Sequence, residues 1–330
     1  MPCYHPVHAY RLKSSGLGEK ARIAFDVNPF VAGDSWSPIQ LPCGHCIGCR
    51  MDQSRQWANR CLMEMQYHKS TYFLTLTYDD EHVPRTQTVD PSTGEVLAPA
   101  MTLVPRDLQL FLKRLRRAVA PQRIRFFGCG EYGTDTFRPH YHLILFGLEL
   151  FDLEPSERSP LGHVYYHSPL VDRAWTLDGE SSPIGLTALA PATWETCAYT
   201  ARYVLKKQDK DAVTDYESLG IAPPFCRMSR RPGLGYQYFQ DHPDCMFTDM
   251  IRVATEKGGR AFPAPNYFKR LYKEIDPVSA DWFSIEKSTL KINQDSVRNV
   301  LTDLDSSDIL RIEERNFIKR VSSLSGREPD

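Results

Sequence analysis

The sequence predicts an α+β fold, on three observations. Runs of β-branched and aromatic residues, "TYFLTLTYDD" (71–80), "RIRFFGCGEYG" (123–133) and "PHYHLILF" (139–146), read as strands. The last two are separated by a short polar link containing "TDTF", which makes an antiparallel hairpin the simplest connection. Three further segments carry the 3.6-residue period of amphipathic helices.

Each element has its own signature. Residues 1–40 read as irregular or short-strand structure, followed by a Cys/Gly turn segment, "LPCGHCIGCR" (41–50). From Asp52 to about Lys69, Trp57, Cys61, Leu62 and Met65 recur at helical spacing. Residues 84–105, rich in Pro, Ser, Thr and Gly, read as a hairpin or long loop. The segment 106–119 follows one proline and precedes another. Leu108, Phe111, Leu112, Leu115 and Val119 form its apolar face, and Lys113, Arg114, Arg116 and Arg117 make the rest basic. A short strand is expected around "HVYYHS". The stretch 194–207, free of Gly and Pro, is the third helix. "CRMSRRPGLGYQYF" (226–239) is a basic, glycine-punctuated loop, and residues from about 276 onward form one or two polar helices. The expected organisation is a Cys-rich element with its helix at 1–70, a central domain at 71–275 and a helical tail at 276–330.

Composition narrows the class. The 330 residues are 42% hydrophobic and 25% charged, as in a globular protein with a substantial core. No apolar run is long enough to span a bilayer, and the first residues lack a signal-peptide pattern. Nine cysteines, three of them in one short loop, suggest a reducing cytoplasm and metal-bound thiolates rather than a disulfide framework. A net charge of −1 disfavours a protein that coats nucleic acid but is compatible with one that grips a short stretch. The motifs H-E-x-x-H, G-x-S-x-G and the Walker A loop are absent, which argues against zinc proteases, serine hydrolases and a fused helicase.

Three constellations carry chemistry. In an extended strand His140 and His142 project to one side and Tyr141 to the other. If the hairpin pairs as expected, Glu131 lies near both histidines. Two imidazoles and one carboxylate make a three-ligand site suited to Mg²⁺ or Mn²⁺, and also to Zn²⁺ or Fe²⁺. Tyr199, Tyr203 and Lys207 are spaced four apart, so they share one helix face. Two phenols one turn apart can serve as nucleophiles towards one phosphate, with a lysine favouring the phenolate. Cys43, Cys46 and Cys49, with Cys3 or His45 as the fourth ligand, fit structural Zn²⁺ better than an iron–sulfur cluster. Arg114 and Arg117 on the second helix, with Arg227, Arg230 and Arg231 in the later loop, are candidate DNA contacts. Tyr236, Tyr238 and Phe239 beside that loop could stack on bases.

Taken in order, "FLTLTY", "GEYG" with "RPHYHLILFG", and "YTARYVLKK" resemble the three motifs of HUH-superfamily replication initiators, with Tyr141 in the middle place between the histidines. With the N-terminal cysteine, "PCGHCIGCR" and "SRRPGLG", residues 1–240 are similar to the initiators of single-stranded DNA microviruses of the gokushovirus group. The resemblance implies a central antiparallel sheet flanked by helices, the metal hairpin in its middle and the tyrosine helix laid across. It implies Mg²⁺ or Mn²⁺ on Glu131, His140 and His142, and attack by Tyr199 or Tyr203 on an origin in single-stranded or supercoiled viral DNA. The products would be a 5′-phosphotyrosyl link and a free 3′-hydroxyl. Lys207, or Lys206, stands where the motif lysine is expected. A host helicase and polymerase would be partners, in the cytoplasm of a bacterial host. The rival readings are a relaxase or transposase of the same superfamily, and a non-catalytic, zinc-stabilised nucleic-acid-binding protein.

Overall fold

The computed structural model describes residues 3–12, 22–25, 36–87, 89, 93–96, 98–133, 135–158, 164–206, 216–248, 250–255 and 258–325; the side chains of 203–206, 291, 299 and 321–325 are outside that description. The described residues fall into two compact units, one drawn from 1–52 and 242–328, the other from 53–241.

The unit within 53–241 is built on one antiparallel sheet. Its strands in chain order are β4 (Thr71–Thr77), β7 (Arg125–Tyr132), β8 (Pro139–Phe146), β9 (Glu154–Arg158), β10 (Val164–His167), β11 (Thr187–Pro191) and β12 (Phe225–Met228). Among the described residues these seven are arranged β12-β7-β8-β4-β11-β10-β9, each paired antiparallel with its neighbour. The fold is α+β, as the periodicities predict, and the expected hairpin of β7 and β8 lies inside the sheet. A short pair, β5 (Arg85–Thr86) with β6 (Ala100–Met101), forms within the 84–105 segment.

Strand alternation divides the sheet's side chains between two cores. Leu74 and Leu76 of β4, Tyr141, Leu143 and Leu145 of β8, and Leu189 and Phe225 face one side. There they meet Leu108, Phe111, Leu112 and Leu115 of helix α2 (Pro105–Ala118) and Trp175, which follows α3 (Pro169–Ala174). Phe73, Phe127, Ile144 and Phe146 face the other side. They pack against Ala58 and Cys61 of α1 (Ile47–Met65) and Cys197 and Ala201 of α4 (Trp194–Lys206). Small residues on those two helices let their backbones come close to the sheet, and full burial of each large side chain contributes about 1.5–3 kcal/mol. Glycine in β7 serves the same separation. A Cβ on Gly130 would sit 2.8 Å from the Phe225 ring, so glycine lets the aromatic side fill while Phe127, Cys129 and Glu131 face the α1/α4 side.

In the other unit, β1 (Val7–Leu12) pairs with β2 (Ile23–Ala24) and β3 (Trp36–Leu41). The hairpin β13 (Ile251–Thr255) and β14 (Gly258–Phe262) precedes helices α6 (Asn266–Ile275), α7 (Pro277–Val300) and α8 (Ser306–Ser325). The short helix α5 (Tyr236–Asp241) closes the sheet unit's chain. The first helix starts earlier than its apolar period suggested. It begins at Ile47, so Cys49 lies in its first turn, because the cysteine segment turns sharply at Gly44 (φ 80°) and then winds directly into helix. The polar C-terminal region resolves into α7 and α8.

Candidate metal and tyrosine site

The register places the histidines and the glutamate in neighbouring rows of the sheet. Glu131 pairs with His140, Cys129 with His142, and on the far side Thr77 with His140 and Thr75 with His142. Glu131 Oε1 stands 3.0 Å from His140 Nε2 and 3.1 Å from His142 Nε2. One ligand atom from each of the three residues lies within 4.8 Å of the others. Glu131 is 2% exposed at its side chain and His142 is buried, so the group sits in a low-dielectric setting. Burial pushes the Glu131 carboxyl up, but its hydrogen bonds and charge contacts with His140 and His142 outweigh that and hold it at about 2.

Contacts behind the triad orient its rings. His140 Nδ1 is 3.1 Å from the Arg138 carbonyl oxygen. A carbonyl only accepts, so Nδ1 is the donor and the neutral ring directs the Nε2 lone pair at Glu131. Lone pair facing carboxylate is repulsive unless a cation or a proton lies between them. The donor set therefore fits a divalent ion held by His140, His142 and Glu131. His142 Nδ1 is 3.0 Å from Thr75 Oγ1, and its ring stacks on Phe73 with centroids 5.4 Å apart.

Helix α4 brings the tyrosine. The Tyr199 ring lies edge-on to His142 with centroids 5.2 Å apart and edge-on to Phe73 at 6.1 Å. The Arg202 guanidinium lies 5.7 Å from the Tyr199 ring centre. Cys197 and Ala201 face the sheet core, so α4 is held with Tyr199 at the edge of that contact, over the histidine row. Tyr203 lies one turn further along α4; its side chain, and Lys207 altogether, fall outside the described residues, as does the side chain of Lys206. Thr75, Phe73 and Arg202 were not singled out from the sequence. The alternation of "TYFLTLT" would have marked Phe73 and Thr75 as same-side residues had the register with β8 been known.

The cysteines form a second group. Cys3, Cys43, Cys46 and Cys49 offer sulfurs that all lie within 4.8 Å of one another. Cys43 Sγ is 4.0 Å from Cys49 Sγ, and Cys46 Sγ is 3.9 Å from Cys3 Sγ. A tetrahedron with zinc–sulfur bonds of about 2.3 Å has edges of about 3.8 Å, so these spacings fit one ion. Backbone N–H groups of His45 and Cys46 donate to Cys43 Sγ, that of Cys43 to Cys3 Sγ and that of Tyr4 to Cys46 Sγ. Of the two candidates for the fourth position, Cys3 joins the group, while His45 is exposed and gives its backbone N–H. Burial raises the Cys46 thiol, yet the N–H donors around it bring it down to about 7, whereas burial pushes Cys3 and Cys49 up. Several thiolates packed this closely need a cation to coexist.

The candidate arginines have different surroundings. Arg114 Nε donates to the Ala174 carbonyl at 2.8 Å, tying α2 to the end of α3, and α2 covers the side of the sheet opposite the triad. Arg117, Arg227, Arg230 and Arg231 are exposed. Arg227 lies 5.4 Å from the Phe225 ring centre.

The family described as Replication-associated protein ORF2/G2P matches residues 71–208, the span from β4 through α4. The chain is 29% identical over 340 aligned positions to "Replication-associated protein ORF2" of Spiroplasma virus 4, covering 98% of both chains. Over almost its whole length the chain is thus similar to a phage replication-associated protein. The chain is also similar to "Replication-associated protein VP4" of Bdellovibrio phage phiMH2K, 29% identical over 72% of this chain and 69% of that one, and to "Replication-associated protein ORF4" of Chlamydia phage 1, 29% identical over 73% and 55%. No solved structure matches. The matched span 71–208 takes in Glu131, His140 and His142 as well as Tyr199, Tyr203 and Lys207.

Proposed function

We propose that this protein is the rolling-circle replication initiator of a single-stranded DNA phage, a metal-dependent enzyme that nicks and rejoins single-stranded DNA at a specific origin through a 5′-phosphotyrosine. The observation that carries this reading is the Tyr199 ring set 5.2 Å from His142 beside the Glu131/His140/His142 triad. An ordinary strand with incidental histidines has no reason to bury a carboxylate between them or to lay a tyrosine helix over them.

In this reading Glu131, His140 and His142 hold Mg²⁺ or Mn²⁺, which when bound polarises the scissile phosphate and orients the leaving oxygen. Two neutral imidazoles and one carboxylate leave most of the ion's charge uncompensated. The Tyr199 phenolic oxygen attacks phosphorus. An O–P bond forms to tyrosine, the P–O3′ bond breaks, the phenolic proton is lost and the departing 3′ oxygen gains one. A phosphotyrosyl diester conserves the energy of the original linkage, so the reaction can run backwards to close a circle after one round of synthesis. Tyr203, one helical turn away, serves as the alternate nucleophile, and Lys207 supports the phenolate or the leaving oxygen. The exposed Arg117, Arg227, Arg230 and Arg231 contact DNA, and Arg114 helps frame that surface. Zinc on Cys3, Cys43, Cys46 and Cys49 is structural, since four protein ligands fill its shell.

The free 3′-hydroxyl would prime a host polymerase, with strand separation left to a host helicase, in the cytoplasm of a bacterial cell. No helix among the described residues is long and apolar enough to cross a membrane. Incubation of purified protein with its circular single-stranded genome and Mn²⁺, followed by mass spectrometry, tests the reading. The expected result is a covalent adduct on Tyr199 or Tyr203 that disappears with His140→Ala. Folded, DNA-binding protein that leaves the circle intact would instead support the binding-only alternative.

A further inference from the structure

A second set of buried charges serves a different part of the sheet. Glu64 of α1, 5% exposed at its side chain, accepts the Gly235 backbone N–H at 2.7 Å and the Nε–H of Arg125. Its Oε1 also stands 3.2 Å from His68 Nε2. Arg60 Nε donates to the Leu234 carbonyl at 3.1 Å, and Arg125 Nη2 to the Pro232 carbonyl at 2.9 Å. At the other end, Ser229 N donates to Phe126 O at 2.9 Å, and Phe126 N to Ser229 Oγ at 3.1 Å. Arg230 and Gly233 form an isolated antiparallel bridge, and Leu234 is fully buried in the core beneath α1 and α4. The segment 229–235 is therefore held at four backbone positions, leaving Arg230 and Arg231 exposed between them.

Burying the Glu64 carboxylate and the Arg60 guanidinium is costly unless each is paired, and the gain here is the shape of one surface loop. A merely solvated pair of arginines requires no such support. We propose that residues 229–235 form a pre-organised seat for the phosphodiester backbone of single-stranded DNA. Arg230 and Arg231 contact successive phosphates, and Glu64 is the positioning residue that aims them. The inference rests on the nicking function proposed above and adds a second point of grip to it. Ser229 is bonded to Phe126, five residues along β7 from Glu131, which is about 17 Å at the strand rise of about 3.4 Å per residue. A strand gripped there is held several nucleotides from the bond that is cut. Such a grip keeps the DNA on the protein between cleavage and rejoining, when one end would otherwise be free to diffuse. Rigidity matters because a pre-shaped loop loses less conformational entropy on binding.

The test is fluorescence anisotropy with labelled oligodeoxythymidine, which lacks an origin, titrated against the full-length protein over a range of salt. Each phosphate contact on a single strand contributes about 0.7 to the slope of log K against log salt. Arg230→Ala/Arg231→Ala is expected to reduce that slope by about 1.4, and Arg230→Lys/Arg231→Lys to restore it. Glu64→Gln, confirmed folded by circular dichroism, should weaken binding several-fold with the slope retained, because the charges remain while their placement is lost. If Glu64→Gln does not fold, the exposed arginine pair still decides the question. A wild-type slope in the double alanine variant would overturn the seat while leaving the nicking function intact. A slope change seen on duplex but not on oligodeoxythymidine would also overturn it. Failure of the wild-type protein to bind single-stranded DNA at all would overturn both proposals.

Discussion

Glu131 and His140 are register partners across β7 and β8, and one carboxylate oxygen stands 3.0 Å from His140 Nε2 while also meeting His142. The Arg138 carbonyl fixes the donor role of His140 Nδ1, so the space between Nε2 and the carboxylate is suited to a positive charge. Glu131→Gln keeps the volume and removes the charge. Isothermal titration with Mn²⁺ should show an affinity loss of at least about 100-fold, with circular dichroism showing that the variant is folded.

The carboxyl of Glu131 is held at about 2, below its ordinary 4.5, so the sign of its pH effect follows directly. A depressed carboxyl stabilises the folded state above pH 4.5 and loses that contribution as pH falls towards 2. The contribution is of the order of 3 kcal/mol. Urea unfolding of metal-free protein should show wild type losing stability across that window more steeply than Glu131→Gln. Parallel curves for the two proteins would contradict the assignment.

Thr75 reaches the triad through His142 Nδ1 at 3.0 Å. Thr75→Val preserves shape and deletes the hydroxyl that orients the ring. Mn²⁺ affinity is expected to fall by about 10- to 100-fold, and added Mn²⁺ should recover nicking. Recovery at high metal separates this role from a loss of fold.

Tyr141 lies between the two histidines in sequence but on the opposite side of the sheet. Its hydroxyl is 2.8 Å from the Tyr78 hydroxyl, accepts the Val104 N–H at 3.0 Å and donates to the Val104 carbonyl at 3.0 Å, while burial pushes both phenols up. Tyr141→Phe leaves buried polar groups without that hydroxyl and should cost about 1–3 kcal/mol in chemical denaturation. Mn²⁺ affinity should stay near wild type, because the triad is on the other side.

Cys3 supplies a sulfur to three others that lie forty or more residues away. In Cys3→Ser, metal analysis is expected to show zinc falling from about one ion per chain to near none. Thermal unfolding should begin earlier, with proteolysis appearing first in the N-terminal strands.

Much of the site was legible because its spacing is local. A strand of period two must put His140 and His142 on one side, and a short link leaves an antiparallel hairpin as the simplest way to bring Glu131 opposite. A helix likewise puts Tyr203 one turn beyond Tyr199. Residues that act across the sheet were harder to see. Thr75 and Phe73 became site residues once β4 paired with β8 in one register, and a shift of one residue would have turned them both away. Arg114 reads as one more surface cation, yet it bonds the Ala174 carbonyl, because helix packing decides which arginines on a basic face reach solvent. Glu64, in the last turn of a helix, gave no sign that it holds a glycine 171 residues away.

The sequence by itself determined the α+β class, the histidine pair, the cysteine cluster and the tyrosine helix, since each follows from backbone geometry over a few residues. Tertiary structure alone decided that Tyr199 lies against His142, that Cys3 rather than His45 joins the other cysteines, and that buried charges hold the 229–235 loop. Those contacts join segments distant in the chain, and they depend on strand register and on how closely small residues let the helices approach the sheet.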